Sequence, residues 1–302
     1  MLALGYAKNS SPLRRAATRV VLVVAAAAAT TAVTAPASSA QSAPGSLAAL
    51  GSSKDPLIVA HRGFSEKAPE NTLPAVRAGI RAKADFVEVD VQRTKDDKLI
   101  ILHDKTLART TDVEAVYPTR RNDPVGTFTF AEIRTLDAGS WKSAEYAGTK
   151  IPTLKEVLRS LAGSRSKLLL ELKDPASYPG VEKQSARQLN AFGLIRKGTN
   201  DKVQVQSFDV GSVETFDKLE PEAEVGVLFG NPPADPSRYA WAEAINPSYK
   251  TVDKAYVQKV RKAGLLTFVY TVDNPADIRR MARAGVDGII TNNPDTAYLA
   301  LR

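Results

Sequence analysis

Short apolar runs rich in β-branched residues recur along residues 57–302 and alternate with longer amphipathic stretches. The runs have the length of buried strands, and the stretches between them have the helical period. Two of the helical stretches, 255–264 and 275–285, end in a glycine, which is typical of a helix C-terminus. Strands that alternate with helices predict a parallel sheet built from crossover units. The eight predicted strands are 57–60, 86–91, 168–173, 203–208, 224–229, 243–246, 266–272 and 286–291.

Eight such units in about 262 residues predict an α/β fold, a single (β/α)8 TIM barrel over 57–302. One further apolar run, 99–104, follows the second strand after only seven residues. A parallel crossover needs a dozen residues or more, so this run does not fit the repeating pattern. We therefore predict a β-hairpin over 86–104.

The turn of this hairpin is predicted at Asp96-Asp97. That register places Asp90 opposite His103, whereas a shift of one residue would place Val89 there and turn the histidine to the other face. The turn-rich segment at about 105–150 is then an insertion over the mouth of the barrel. It contains a predicted helix near Phe130–Leu136. Long loops of this kind in a compact domain are more often functional than idle.

The N-terminus has a different pattern, typical of an export signal. Basic residues up to Arg19 are followed by an apolar, alanine-rich segment from Val20 to Ala35 and by small residues up to Ala40. We predict a signal peptide over 1–40, a linker over 41–56 and a secreted protein. A permanent membrane anchor is the alternative, although the strongly apolar part is shorter than a spanning helix needs. The sequence does not decide between Sec and twin-arginine export.

Composition narrows the chemistry. The fractions of 43% hydrophobic and 25% charged residues are those of a folded globular protein. Four of the 41 basic residues lie in 1–40 with no acidic residue, which leaves 37 basic against 33 acidic residues, a net charge of +4. This small excess does not predict a nucleic-acid partner. The chain has no cysteine, which excludes disulfides, thiolate metal sites and cysteine nucleophiles, and it has only two histidines.

Carboxylates lie at alternate positions near the ends of two predicted strands. The period of two sends Glu88 and Asp90 to one face of the second strand, and Glu171 and Lys173 to one face of the strand 168–173. Both faces of a barrel strand are covered, so inward carboxylates are costly without a positive partner. Three such carboxylates form a hard-oxygen site suited to Ca²⁺ or Mg²⁺. The alternative is that Glu88 and Asp90 lie on the solvated face of an antiparallel strand.

Both histidines end apolar strand runs, and each is followed by a charged residue. A single histidine at such a place is usually structural. Two in matching positions, His61 and His103, favour an acid–base pair, because histidine titrates near neutral pH. Arg62 adds a planar donor fork that suits phosphate, and Lys173 adds a point charge.

Together these residues resemble the glycerophosphodiester phosphodiesterases of secreted bacterial type. The resemblance covers essentially all of 57–298. The motifs that carry it are His61-Arg62-Gly63, Pro69-Glu70-Asn71-Thr72, Glu88-Val-Asp90, His103-Asp104, Leu107-Ala-Arg109-Thr110-Thr111, Glu171-Leu-Lys173, Gln206-Ser-Phe208, Phe268-Val-Tyr270 and Gly285-Val-Asp-Gly-Ile-Ile-Thr-Asn292.

The resemblance implies hydrolysis of glycerophosphodiesters to glycerol 3-phosphate and an alcohol, with Ca²⁺ or Mg²⁺ as cofactor. It implies that the two histidines are the acid and the base, in an order that the sequence does not decide. It also implies metal ligands, phosphate contacts and aromatic walls of a glycerol pocket. The implied metal ligands are Glu88, Asp90 and Glu171, the phosphate contacts are Arg62 and Lys173, the walls are Phe208 and Tyr270, and Glu70 binds the metal or supports a residue that does.

Two positions depart from the family pattern. Tyr270 stands where tryptophan is frequent, and Asn292 stands where aspartate is common, so substrate preference can differ. Three other functions stay open on the sequence: a related barrel phospholipase of lysophospholipase D or phospholipase C type, a hydrolase of glycerol-phosphate wall polymers, and a protein that only binds phosphorylated glycerol. The first two would bring contact with lipid or wall polymer, and an exposed aromatic loop at Trp141 and Tyr146 is the only sequence hint of it.

Overall fold

Eight parallel strands close into a barrel in the computed structural model, which describes residues 55–196 and 202–302. The pairing of β1 with β2 completes the ring, and a ninth strand, β3, pairs antiparallel with β2. The predicted TIM barrel is therefore confirmed. The strands are β1 Leu57–Ala60, β2 Phe86–Arg93, β3 Leu99–Ile101, β4 Lys167–Leu172, β5 Val203–Ser207, β6 Glu224–Phe229, β7 Ala244–Pro247, β8 Leu266–Val269 and β9 Gly288–Thr291.

The helices begin and end at the signals that the sequence shows. The helix at Leu154 starts with a capping box, in which Thr153 and Glu156 satisfy each other's backbone N–H groups. Gly285 ends the helix before it with a φ of +87°, which an L side chain rarely adopts. The helices are α1 Leu73–Arg81, α2 Val113–Val116, α3 Phe130–Thr135, α4 Leu154–Leu161, α5 Val181–Ala191, α6 Val210–Leu219, α7 Lys254–Lys262, α8 Pro275–Ala284 and α9 Pro294–Leu301.

Side chains alternate between two cores, as the period of the strands requires. On β2, Val87, Val89 and Val91 point outward and pack in a buried cluster with residues of the surrounding helices. Phe86, on the other face, packs inside the barrel with Leu169 and with other residues of the interior. This interior cluster lies below the carboxylates of β2 and β4 and shares the barrel interior with the buried polar side chains of Gln204 and Glu224.

The predicted hairpin is present, but its predicted register is wrong by one residue. Val91 pairs with Ile101, so the same register continued would place Val89 opposite His103, and not Asp90. The cause is the turn, in which the N–H of Thr94 bonds to the carbonyl of Lys98 across three residues instead of two. Asp97, the last of the three, has the positive φ of 61° that closes a three-residue turn.

The upper edge of β2 is left uncovered by β1. The last pairing between the two strands is that of Ala60 with Val87, whereas β2 continues to Arg93. Loop residues and then β3 take over this edge: Gly63 donates to the carbonyl of Glu88, and Leu102 donates to that of Asp90, each at 3.0 Å. We call this part of β2, residues 88–93, the open edge.

The segment predicted as an insertion, 105–150, has its own small core. Leu107, Phe128 and Ile133 are fully buried in it, and the helix predicted near 130–136 is α3. Lys142 and Tyr146 tie it to the loop after β1 through hydrogen bonds of 3.0 Å to backbone carbonyls. No helix in the described ranges is long and apolar enough to cross a membrane. The predicted signal peptide and the linker up to residue 54 lie outside those ranges.

Candidate active site

The three predicted metal-binding carboxylates lie together at the carboxyl ends of neighbouring strands. Asp90 of β2 pairs in register with Glu171 of β4, and Glu88 lies two residues earlier on the same inward face. Each offers one oxygen within 4.8 Å of the others, and all three side chains are buried. The solvated strand face that the sequence left open is thereby excluded.

Two oxygens of this cluster lack a hydrogen-bond partner. They are Glu88 Oε1 and Asp90 Oδ1, and both are buried. Burial and the neighbouring Asp90 raise the pKa of Glu88 well above its usual range, and the same causes raise the pKa of Glu171 to about 7. Burial opposes the ionisation of Asp90, but Arg62 and Lys173 outweigh it and lower its pKa. Buried, unpaired carboxylate oxygens are costly, so these three residues fit a bound cation.

The turn after β1 completes one side of the cluster. Arg62 and Gly63 have positive φ angles of 55° and 75°. Their backbone N–H groups both point at Glu88, the first at the side-chain Oε2 at 2.5 Å and the second at the carbonyl. A Cβ at Gly63 would stand 2.4 Å from the backbone of Ala75, so only glycine fits here. The left-handed conformation of Arg62, a strained one for a side-chain-bearing residue, is held by the residues around it.

Two cations stand beside the carboxylates. Arg62 Nε lies 3.6 Å from Asp90 Oδ2, and Lys173 Nζ lies 2.8 Å from Glu171 Oε1. Glu70 is not part of the carboxylate cluster. It accepts instead from Arg62 and from Arg109, and although burial opposes its ionisation, these two arginines lower its pKa to about 2.

His61 is held in one tautomer. Its Nδ1 lies 2.7 Å from Asn292 Oδ1, and the Nδ2 of the same amide donates to Asp273 Oδ2 at 2.7 Å. The Asp273 carboxylate can only accept, so the amide nitrogen must face it and the amide oxygen must face the histidine. Nδ1 of His61 therefore carries the hydrogen, and Nε2 is left with a lone pair. Burial, and then the charge of Arg62, lower the pKa of His61 to about 4, so the ring is neutral near pH 7.

His103 has a carboxylate for its partner. Its Nδ1 lies 2.7 Å from Asp104 Oδ1, and 27% of its side chain is exposed. Arg109 donates to both oxygens of Asp104 and, with His103, lowers the pKa of that carboxyl to about 2 against the opposing effect of burial. Although the predicted hairpin register is wrong, His103 still lies at the site. Strand β3 ends at Ile101, so His103 follows the paired residues and its direction is not set by the register.

A small pocket of about 160 Å³ opens among these side chains. The rings of Phe208 and Tyr270 meet edge to face at a centroid distance of 5.9 Å on one side of it. The extra hydroxyl of Tyr270 donates to the carbonyl of Phe229 at 2.9 Å. Asp90 and Glu70 are not among the residues that line the pocket, whereas the other predicted site residues line it: His61, Arg62, Glu88, His103, Glu171, Lys173, Phe208 and Tyr270.

The sequence assigned no role to the residues that hold this site in place. Asn71 donates to Asp90 Oδ2 at 2.7 Å and accepts from its backbone N–H. Asp104, Arg109 and Asp273 orient the histidines or the residues beside them. Asn71, Asp104 and Arg109 lie in the family-like motifs, which is the signal that could have found them. Nothing in the sequence singled out Asp273.

The fold and the pocket define a class. In a TIM barrel, active sites lie at the carboxyl ends of the strands. Buried carboxylates, two histidines and two cations at this place are the groups expected of an enzyme that acts on phosphate esters. The model of the "Glycerophosphoryl diester phosphodiesterase family" matches residues 61–296. The chain belongs to this family and is an enzyme of the phosphodiesterase type.

Individual relatives agree with this assignment. A glycerophosphodiester phosphodiesterase of Caldanaerobacter subterraneus is 34% identical over 82% of this chain and 98% of its own length. One of Bacillus subtilis is 36% identical over 79% of this chain and 84% of its own. A solved phosphodiesterase of Oleispira antarctica, in complex with the product sn-glycerol-3-phosphate, matches with a TM-score of 0.73 and 25% identity, over 82% and 97% of the two chains. A glycerophosphodiester phosphodiesterase of Agrobacterium tumefaciens matches with a TM-score of 0.65 and 29% identity, over 82% and 100%.

Proposed function

We propose that the protein hydrolyses glycerophosphodiesters to sn-glycerol 3-phosphate and an alcohol with a divalent cation, Ca²⁺ or Mg²⁺, held by Glu88, Asp90 and Glu171. The observation that carries the proposal is the pair of unpartnered, buried carboxylate oxygens beside Arg62, Lys173 and both histidines. When bound there, the cation would stabilise charge on the phosphoryl oxygens and lower the pKa of an attacking hydroxyl.

The chain's own cations supply the remaining phosphate contacts. Arg62 offers a fork of N–H donors, and its position is supported by Glu70 on the side away from the pocket. Lys173 offers a single point charge, 5.7 Å from the ring centroid of Phe208. Donors that are already in place when charge develops on the phosphoryl oxygens lower the barrier without reorganisation.

The two histidines divide the proton transfers. His61, neutral and with its lone pair on Nε2, takes the proton of the attacking glycerol hydroxyl. His103, which is held by Asp104 at its Nδ1, protonates the departing alcohol. The hydroxyl oxygen bonds to phosphorus as the alcohol leaves, which gives a cyclic glycerol phosphate. Water then opens this ring, with the roles of the two histidines reversed. Single-turnover trapping that detects no cyclic glycerol phosphate would point instead to direct attack by water.

The size of the pocket limits which part of the substrate it can hold. Its volume of about 160 Å³ suits a glycerol phosphate group and leaves the alcohol part of the substrate outside it. Phe208 and Tyr270 form an apolar side for the carbon chain of glycerol. The hydroxyl of Tyr270 does not face this chain, because it donates to the backbone carbonyl of Phe229. The alcohol head group therefore lies towards solvent. Export through the N-terminal segment 1–40 remains part of this proposal and would place the enzyme outside the cell.

The test is product release from three substrates: glycerophosphocholine, a lysophospholipid and polyglycerolphosphate. Each is assayed with Ca²⁺, with Mg²⁺ and with a chelator. We expect glycerol 3-phosphate from glycerophosphocholine, loss of activity with the chelator, and a fall of about 10²–10⁴-fold in kcat for His61→Ala. Preference for the lysophospholipid or for the polymer would establish those alternatives. No turnover of any substrate, with tight binding of glycerol 3-phosphate, would establish a binding protein.

A further inference from the structure

Arg109 joins the two loops that carry the predicted catalytic and phosphate-binding residues. Its guanidinium donates to both oxygens of Glu70, at 2.8 and 2.7 Å, in the loop after β1. It also donates to both oxygens of Asp104, at 2.6 and 3.0 Å, in the loop after β3. An arginine fork can satisfy two carboxylates in this way, whereas a lysine ammonium cannot.

Each of these carboxylates also holds a residue of the pocket. Glu70 Oε1 accepts from Arg62 at 2.7 Å, and Asp104 Oδ1 lies 2.7 Å from His103 Nδ1. The five side chains form a continuous hydrogen-bonded chain with Arg109 at its centre. Arg109 is not among the residues that line the pocket. Its hydrogen bonds reach the pocket through the residues at the two ends of the chain.

This arrangement contributes to stability as well as to geometry. The Arg109 side chain is 46% exposed, but that of Glu70 is only 12% exposed, and both carboxylates are bound through both of their oxygens, so these ion pairs are stronger than ordinary surface pairs. Their geometric effect is specific to the site, because Arg109 is the cation between two carboxylates on different loops. Without it the like charges of Glu70 and Asp104 repel each other, and the two loops lose their common anchor.

We propose that Arg109 is a positioning residue that orients His103 through Asp104 and Arg62 through Glu70. This inference rests on the proposed phosphodiesterase reaction. Loss of Arg109 leaves every reacting group present but imperfectly placed, and small misplacements of catalytic groups cost much of the rate.

The test compares kcat and KM of Arg109→Ala and Arg109→Lys with those of the unaltered protein on glycerophosphocholine. We expect kcat to fall about 10- to 100-fold in both, as for other residues that orient catalytic groups, with a smaller change in KM. Added guanidinium chloride at millimolar concentration should restore part of the kcat of Arg109→Ala, and methylammonium chloride should not. The losses of Arg109→Ala and Asp104→Asn should be strongly non-additive in the double variant.

Arg120 provides the matched control. It lies in the same inserted segment and also binds two carboxylates, Asp123 at 2.9 Å and Glu132 at 2.8 Å, on neither loop of the site. Arg120→Ala should keep kcat unchanged. An unaltered protein without activity would remove both proposals. An active one with Arg109→Ala within twofold in kcat, or with activity lost only in step with folded protein and not rescued by guanidinium, would overturn the role of Arg109 alone.

Discussion

Acidic residues lie at both ends of this barrel, but they differ in their hydrogen bonding. At the amino ends of the strands, Asp85, Glu243 and Asp287 each stand just before a strand and accept a backbone N–H of the strand beside it, at 2.6 to 2.9 Å. At the carboxyl ends, Glu88 and Asp90 keep oxygens without any hydrogen-bond donor.

The difference separates folding from function. A carboxylate that accepts from a backbone N–H satisfies a donor that would otherwise be buried alone, and so it stabilises the ring of strands. A buried carboxylate oxygen that lacks a hydrogen-bond donor, like one of Glu88 and one of Asp90, instead costs stability. In barrels of this kind the carboxyl ends carry chemistry and the amino ends carry stability. Substitutions at the two ends should therefore have separable effects.

The largest expected effect is at the carboxyl end. Glu88→Gln keeps an acceptor for the backbone N–H of Arg62 but removes the carboxylate of a proposed metal ligand. Since metal ions contribute several kcal/mol to such reactions, kcat/KM should fall by on the order of 10⁴-fold. The melting temperature without metal should not fall, because the substitution relieves repulsion among buried carboxylates. A melting temperature lowered by several degrees would show that Glu88 stabilises the fold as the acids at the other end do.

The next effect is at the amino end. Asp287→Ala removes the acceptor of the buried N–H of Thr267, which donates to Asp287 Oδ2 at 2.9 Å. We expect a loss of about 2 kcal/mol in the free energy of unfolding, measured by urea denaturation. Below the transition kcat should be unchanged. A fall in kcat with intact stability would mean that the two ends are coupled.

The smallest effect concerns pH. Burial raises the pKa of Glu243 to about 7, against the opposing hydrogen bond from Val225. The folded state thus holds a proton that the unfolded state releases near its ordinary pKa, so stability falls as pH rises between about 4.5 and 7. Glu243→Gln should remove this loss. Urea denaturation should find the variant more stable by about 1 kcal/mol at pH 8 and not at pH 4.5, a discounted figure because the side chain is partly exposed.

The strands and the inward carboxylates could be predicted from sequence because both depend on a period of two within a few residues. The hairpin register could not, since Lys95–Asp97 and Asp96-Asp97 are equally acceptable turns on paper and only Asp97's backbone conformation distinguishes them. The contacts that support the site could not be predicted either, although Arg109 and Asn292 both lie in family-like motifs. Asn292 meets His61 across 231 positions of the chain, and Arg109 meets Glu70 across 39. Such contacts follow from closure of the barrel and not from local pattern.

The open edge of β2 also bears on how such a barrel can be altered. Because β1 stops at the level of Val87, residues 88–93 offer backbone hydrogen bonds to whatever chain follows the second strand. The ring is already closed below that level, so its strand number and tilt do not depend on the length of the added segment. A protein engineer could therefore exchange β3 and the insertion as one segment, and so place a different side chain at the position of His103 while the ring of eight strands stays the same.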